Sequence, residues 1–267
     1  MNYKMQFGGG AGDVFSQLYY RGAYNVLRDL APEDAAEIIL VTHNPYVREF
    51  FDYHPNHAQF NIRDLGYWDA AQNEEMLKKH NLVEPINNAL LPEKEALIRF
   101  YPAPSDKPII KLLQTKAYIT IAAGAGLPNR TIPLNIINEI IGYILCETNY
   151  DIVITGRNYD RHGRAEPEIN IDDPRVHNLV DKLSFPGTAI IVQNSLGLVT
   201  AHSALNILGW YEQLPQLLLY PQAVLDRHAP NGNYDQWLFG AKWPITVHGL
   251  FEKYTSEMCE RFIKLLE

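Results

Sequence analysis

The stretch Phe7-Gly8-Gly9-Gly10-Ala11-Gly12-Asp13-Val14-Phe15 decides how this chain is read, because a first strand, Met1 to Phe7, runs straight into it. Four glycines in five positions let the backbone approach a ligand closely and reach φ > 0 without a Cβ penalty. The helix expected next offers unpaired N–H groups and a partial positive charge, which together suit an anion. Asp13 then falls at the start of that helix. The competing reading is a tight strand-to-helix turn of an α/β domain, with Asp13 as its cap.

Two common glycine motifs are excluded by spacing. Starting at Gly8 or Gly10, the third glycine of a dinucleotide fingerprint would fall on Asp13 or Phe15. No Lys-Ser or Lys-Thr pair follows the glycines, so the phosphate loop of NTPases is absent as well. What remains, Gly10-Ala11-Gly12-Asp13-Val14 directly after strand one, resembles the ADP-heptose:lipopolysaccharide heptosyltransferase family, the family-9-like glycosyltransferases. The resemblance implies an α/β fold of the GT-B type, with two Rossmann-like domains whose parallel sheets face a central cleft. It also implies that Asp13 is the general base at the acceptor, with Gly10 and Gly12 beside it, and that the sugar is transferred with inversion.

At 267 residues the chain can bury one good core, or two small ones of roughly 110 to 140 residues each. Its 46% apolar and 20% charged content are those of an ordinary globule. No apolar run reaches the roughly 18–20 residues of a membrane span, and no basic, apolar leader opens the sequence. Cys146 and Cys259 fall in helical patterns and read as small packed thiols, which fits a reducing cytoplasm. A formal charge of −8 argues against a globally basic nucleic-acid surface.

Strand and helix signals alternate along the chain, as in α/β folds with parallel sheets. Val14, Leu18, Val26, Leu27 and Leu30 form a helical stripe, and Glu37 to Thr42 a buried strand. His43 stands at that strand's carboxyl end, where a side chain can face an acceptor or merely connect to the helix expected at Pro45 to Tyr53. Gln59 to Leu65 is a weak strand. Short helices are expected near Glu74 to His80 and Pro92 to Tyr101. A second series begins with a strand at Tyr118 to Ala122, followed by a helix from about Pro133 to Glu147 and a strand at Asp151 to Thr155. Further expectations are a helix at Pro174 to Leu183, a strand at Thr188 to Gln193 and a helix from Gly197 to Leu208. A strand at Leu214 to Tyr220, a helical turn at Gln222 to His228 and a terminal helix at Gly249 to Leu266 complete the series. The two series divide into a shortened N-terminal acceptor domain, 1–110, and a C-terminal donor domain, 111–267.

Three loops of the second half fall where ligands of parallel sheets bind, beyond the carboxyl ends of strands. Gly124, Gly126 and Arg130 combine close-approach glycines with a guanidinium suited to phosphate. Arg130 followed by Thr131-Ile132-Pro133 resembles the family's basic-x-Trp-Pro segment, with isoleucine in place of tryptophan. The stretch from Gln193 through Asn194, Ser195 and Gly197 to His202 resembles, aligned on Gly197, the family segment D-S/T-G-x-x-H-x-A. Ser195, Leu196 and Thr200 replace its Asp, Ser/Thr and His. His202 lies two positions further on, about 200° away on the expected helix. Asn194, Ser195 and Gly197 are therefore expected to meet the donor through backbone N–H groups. The third loop, Thr155 to His162, carries an excess of positive charge.

Other chemistries find little support. His54 and His57 are separated by proline with no Cys or acid beside them, Asp172-Asp173 is not a D-x-D, and G-x-S-x-G is missing. The sequence thus points to a metal-independent, cofactor-free glycosyltransferase that takes a nucleotide-diphosphate sugar and a glycan or other hydroxyl acceptor. Two rivals stand beside it. One is a GT-B enzyme acting on a modified base in phage DNA, which a cleft lined by Arg21, Arg28, Arg48 and Arg63 would favour. The other is a non-catalytic nucleotide- or glycan-binding module.

Overall fold

The computed structural model describes residues 2–9, 11–19, 23–42, 44–66, 98–124, 128–157, 169–228 and 245–267. The chain divides into two compact units, Met1–Ala103 and Pro104–Glu267. The expected border at 110/111 moves to 103/104, because the segment after Pro104 is tied to the second unit. Asp106 is buried and accepts from the Ser184 backbone N–H at 3.3 Å and from the Ser184 hydroxyl.

The first unit holds a parallel sheet in the order β1-β2-β3, from β1 (Asn2–Gly9), β2 (Ala35–Thr42) and β3 (Phe60–Asp64). β1 pairs with β2 as far as Gly9 opposite Thr42, so Gly8 and Gly9 belong to the strand and not to the loop. Helix α1 (Ala11–Tyr19) begins two positions later, and the apolar stripe is divided between it and α2 (Ala23–Arg28). A 3-10 turn at Pro45–Arg48 leads into the short α3 (Glu49–Asp52), matching the helix expected at Pro45. Aromatic rings fill the core: Phe15 lies 5.4 Å from Phe50, and Phe50 lies 5.2 Å from Phe100. Each fully buried ring contributes roughly 1.5–3 kcal/mol of transfer free energy. Residues 98–101 are not helical, which corrects the end of the helix expected there. The helix expected near Glu74 lies outside the described residues.

The second unit is a doubly wound domain. Its six parallel strands run in the order β6-β5-β4-β7-β8-β9. In chain order it comprises α4 (Lys107–Leu113), β4 (Tyr118–Ala122), α5 (Leu134–Glu147), β5 (Asp151–Ile154), β6 (Val176–Asn178), α6 (Phe185–Gln193), β7 (Gly197–Ala201), α7 (Ala204–Tyr211), β8 (Gln216–Tyr220), α8 (Gln222–His228), β9 (Thr246–Leu250) and α9 (Ser256–Lys264). β4 and α5 fall where the sequence places them. One sheet face, with Ile119, Ile121, Ile152, Ile154, Val199 and Leu217, packs on Ile137, Ile140 and Ile144 of α5 and on Phe262 of α9. The opposite face carries Tyr118 and Val153 against Ile110 and Leu113 of α4 and Ile191 of α6.

Four expected elements change. Residues 174–183 hold the edge strand β6 and turns instead of a helix. Thr188 to Gln193 belongs to helix α6, whose N-cap Ser184 accepts from the Gly187 N–H at 3.0 Å. Gly197 opens strand β7 rather than a helix, and the helix starts only after Ser203. The terminal helix is shorter than expected, since Gly249 and Leu250 end β9.

Candidate functional site

In an open parallel sheet, a crevice forms where two neighbouring strands send their following helices to opposite faces. β4 and β7 are such neighbours. The helix after β4, α5, covers the isoleucine face. The helix after β7, α7, lies on the other, where a Cβ on its Gly209 would come within 2.8 Å of Leu198 Cδ2. The switch point is therefore flanked by the residues that follow Ala122 and Ala201.

After β4, the chain leaves through Ala123 and Gly124 and returns through a 3-10 turn at Pro128–Arg130, and the Ile132 N–H closes the loop onto Ala123 O at 3.0 Å. After β7, His202 and Ser203 lead into α7, and Ser203 caps it by accepting from the Leu205 N–H at 3.3 Å. The two loops meet: Arg130 Nη1 lies 3.4 Å from His202 Nδ1. One strand further, Gly156 follows β5 with φ +139°, a conformation that favours glycine, and a Cβ there would meet nothing within 4 Å. Arg157 pairs with Asp181 at 3.9 Å. This end of the sheet thus gathers a guanidinium, an imidazole, a capped helix start and two glycines, all suited to an anionic group.

Gly124 and Arg130 stand at this carboxyl end, as the sequence suggests, while Gly126 lies outside the described residues. Asn194, Ser195 and Gly197 do not join them. They sit at the amino end of β7, and the reason is in their packing. The Ser195 hydroxyl is buried, accepts from the Thr120 N–H at 3.0 Å and donates to Gly197 O at 2.6 Å. Asn194 Nδ2 turns back onto Ile190 O at 2.8 Å, at the end of α6. Gly197 is a glycine because α9 and the chain end crowd it: a Cβ would meet Leu266 Cδ2 at 2.7 Å and Phe262 Cζ at 2.9 Å. The helix N-terminus that motivated a donor role for these three residues begins instead at Ser203. The residues aligned on Gly197 thus lie at the amino end of β7, while His202, set aside on helical phase, lies at its carboxyl end.

In the first unit, Gly12 and Asp13 occupy the first turn of α1, the positive end of its dipole. Gly10 and His43 lie outside the described residues, and of Asp13 only its backbone position is described. The sequence reading also missed Gln17. Its amide accepts from the Gly8 N–H at 2.8 Å and donates to Gly8 O at 3.0 Å, clamping the glycine run to α1. A Gln two turns along a helix carries no motif of its own, so nothing in the sequence marked it.

His54 is buried among Tyr24, Phe60 and Tyr101, and its Nδ1 accepts from the Asn56 N–H at 3.1 Å. Burial, reinforced by His57 and Arg28, pushes its pKa down to about 4. It is a neutral core histidine. Among the described residues no three or more His, Cys, Asp or Glu side chains gather as metal ligands, and no helix is long and apolar enough to cross a membrane. Arg28, Arg48 and Arg63 pair with Asp29, Asp52 and Glu37 at 2.8, 3.2 and 2.9 Å. Arg21 lies outside the described residues.

No family model and no curated protein sequence matches this chain. Solved structures do. The E. coli ADP-heptose LPS heptosyltransferase II superposes with a TM-score of 0.61 at 12% identity, over 99% of this chain and 98% of that one. The glycosyl transferase family 9 protein of Veillonella parvula DSM 2008 gives 0.59 at 11%, over 99% and 97%. The fold is GT-B. The E. coli heptosyltransferase WaaC, solved with ADP, adds a TM-score of 0.54 at 13%, again over 99% and 97%. The structural likeness agrees with the resemblance carried by Gly10 to Val14, and at these identities what it establishes is the fold.

Proposed function

We propose that this protein moves a sugar from a nucleoside-diphosphate donor to an acceptor hydroxyl, inverting the anomeric carbon. The observation that carries this reading is the meeting of Arg130 and His202 at the switch point of a GT-B fold whose solved neighbours are glycosyltransferases, one of them holding ADP. The donor diphosphate is assigned to the carboxyl end of the second sheet, against Arg130, the Gly124 loop and the first N–H groups of α7. The acceptor is assigned to the Gly10 to Asp13 corner and His43.

In the reaction, the Asp13 carboxylate takes the acceptor proton as the acceptor oxygen bonds to the anomeric carbon. The bond from that carbon to the diphosphate breaks, and its electron pair leaves on the diphosphate oxygen. Charge growing there is met by Arg130 and backbone N–H groups, so no divalent metal and no cofactor is required. Turnover that persists in excess EDTA supports this, and loss restored by Mg²⁺ overturns it. A cytoplasmic setting fits both the nucleotide-sugar substrate and the two unpaired cysteines. The carboxylate partners of Arg28, Arg48 and Arg63 favour a glycan or small hydroxyl acceptor over DNA.

The deciding experiment pairs a nucleotide-sugar screen with Asp13→Asn. A ligand at 100 times its Kd should stabilise the fold by about 2.7 kcal/mol, and the sugar that does so becomes the assay donor. Asp13→Asn keeps the shape and removes the base, so kcat should fall roughly 10²–10⁴-fold with donor affinity retained. Unchanged turnover in the Asn variant overturns the role of Asp13. A screen in which no nucleotide or nucleotide sugar binds overturns the transferase reading.

A further inference from the structure

Helix α7 buries an amide that no group of the described chain satisfies. Asn206 is 1% exposed, and neither its Nδ2 nor its Oδ1 has a hydrogen-bond partner among the described residues. A buried amide left unpaired is costly, and native chains hold few of them. Helix capping does not account for it. Asn206 stands three residues after the N-cap Ser203, where a capping-box side chain would reach back to the N-cap N–H, and the amide makes no such bond. Packing fixes the face on which it stands. Gly209 lies over the sheet, since a Cβ there would come within 2.8 Å of Leu198 Cδ2 and 3.1 Å of Gln216 Cδ. Asn206 precedes Gly209 by three residues and shares that face. Side chains on a helix lean toward its N-terminus, so Asn206 leans toward the carboxyl end of the sheet. There the Ser203 hydroxyl lies 3.3 Å from Thr200 Oγ1.

We infer that Asn206 is a further binding residue for the nucleotide ligand, its Nδ2–H donating to a diphosphate oxygen at the start of α7. The inference rests on the nucleotide reading above and adds a side chain to it. Two independent observations meet at this corner. One is the first turn of an eight-residue helix, positive by its dipole. The other is a buried amide within that turn with both polar atoms unpaired. The amide is covered in the free chain, so binding draws it by side-chain rotation toward the mouth of the helix. An amide can serve a hydroxyl as well as a phosphate, and the positive end of α7 selects the phosphate. Because the amide gives up no internal bond, the whole of the new contact counts toward affinity.

The test is urea unfolding and calorimetry on the full chain carrying Asn206→Leu, Asn206→Ala or Asn206→Asp, with ADP, GDP and UDP as probes. An apolar side chain in place of an unpaired amide should cost the free protein nothing, so at least one of Asn206→Leu and Asn206→Ala should unfold at or above the wild-type urea midpoint. Both should bind the nucleotide about ten- to a hundredfold more weakly. Asn206→Asp keeps the shape and an acceptor but replaces the donor with negative charge, and should bind more weakly still. A lowered midpoint in both apolar variants means that the amide has an internal partner, and overturns the inference. Unchanged nucleotide affinity in both overturns the binding role of Asn206 alone. Asn206→Asp binding as tightly as the wild type overturns the phosphate contact. Binding of none of the three diphosphates by the wild type overturns the inference together with the nucleotide reading.

Discussion

The two ends of the six-stranded sheet are built from similar residue types and put them to different uses. At the carboxyl end, Gly156 has φ +139° and open space beside it, and Arg130 reaches the imidazole of His202 between two loops. At the amino end, Gly197 is pressed by Leu266 and Phe262, Ser195 is locked between Thr120 and Gly197, and Arg175 donates to Leu145 O and Thr148 O at 2.7 and 2.8 Å. Those last bonds satisfy carbonyls at the close of α5. A glycine, a hydroxyl or an arginine thus carries little functional meaning until its end of the strand is known. At the carboxyl end Arg130 and His202 meet across two loops and Gly156 has open space beside it, whereas at the amino end the same residue types are held by core side chains and helix carbonyls.

Arg130→Ala should separate the ends most strongly. If the guanidinium meets phosphate in a charge-assisted contact, nucleotide affinity falls by roughly 1.5–3 kcal/mol. Thermal stability should hardly change, since the residue is only half-buried. Calorimetry and a melting curve on the same sample decide it. A variant that binds normally but melts early would make the carboxyl end structural too, and the contrast would vanish.

Gly197→Ala should show the reverse pattern. The added Cβ must displace Leu266 and the Phe262 ring, and overpacking of this kind costs about 1–3 kcal/mol. Urea unfolding should register that loss while nucleotide affinity in the folded protein stays as it was. A stable variant with impaired binding would return Gly197 to the site and restore the alignment made on it.

The same contrast explains what the sequence could and could not reveal. Tyr118 to Ala122 reads as a strand, and Pro133 to Glu147 as a helix, because the first is a short apolar run after a charged loop and the second keeps helical period over its whole length. Thr188 to Val192 misleads because α6 is buried nearly all round. Its β-branched run has no polar face to show a period, although Ser184-Phe185-Pro186 carries the cap and early proline of a helix start. Gly197 to Leu208 reads as one helix because the apolar residues of β7 and α7 run together, with only His202-Ser203 between them. The Gly10 to Val14 segment points to the right fold because its information is local. The Arg130–His202 contact depends on strand order, which no local pattern encodes.

The smallest expected effect lies at the amino end, in the cluster of Lys116, Asp151 and His177. Asp151 Oδ2 bonds Lys116 Nζ and lies 2.7 Å from His177 Nε2. Burial alone would raise the Asp151 pKa, but the hydrogen bonds and charges of Lys116 and His177 outweigh it and hold the carboxyl below its ordinary value. A depressed carboxylate binds fewer protons in the folded chain than in the unfolded one. Its contribution is therefore complete above the unfolded pKa near 3.9 and is lost as pH falls through the lower folded value. Because the cluster is partly solvated, about 1 kcal/mol is expected. Urea unfolding of wild type and Asp151→Asn should show that gap at pH 7 and a closing gap below about pH 4. Parallel stability curves down to pH 3 would remove the carboxylate from the account, and a change in nucleotide affinity would mean that the amino end is not purely structural.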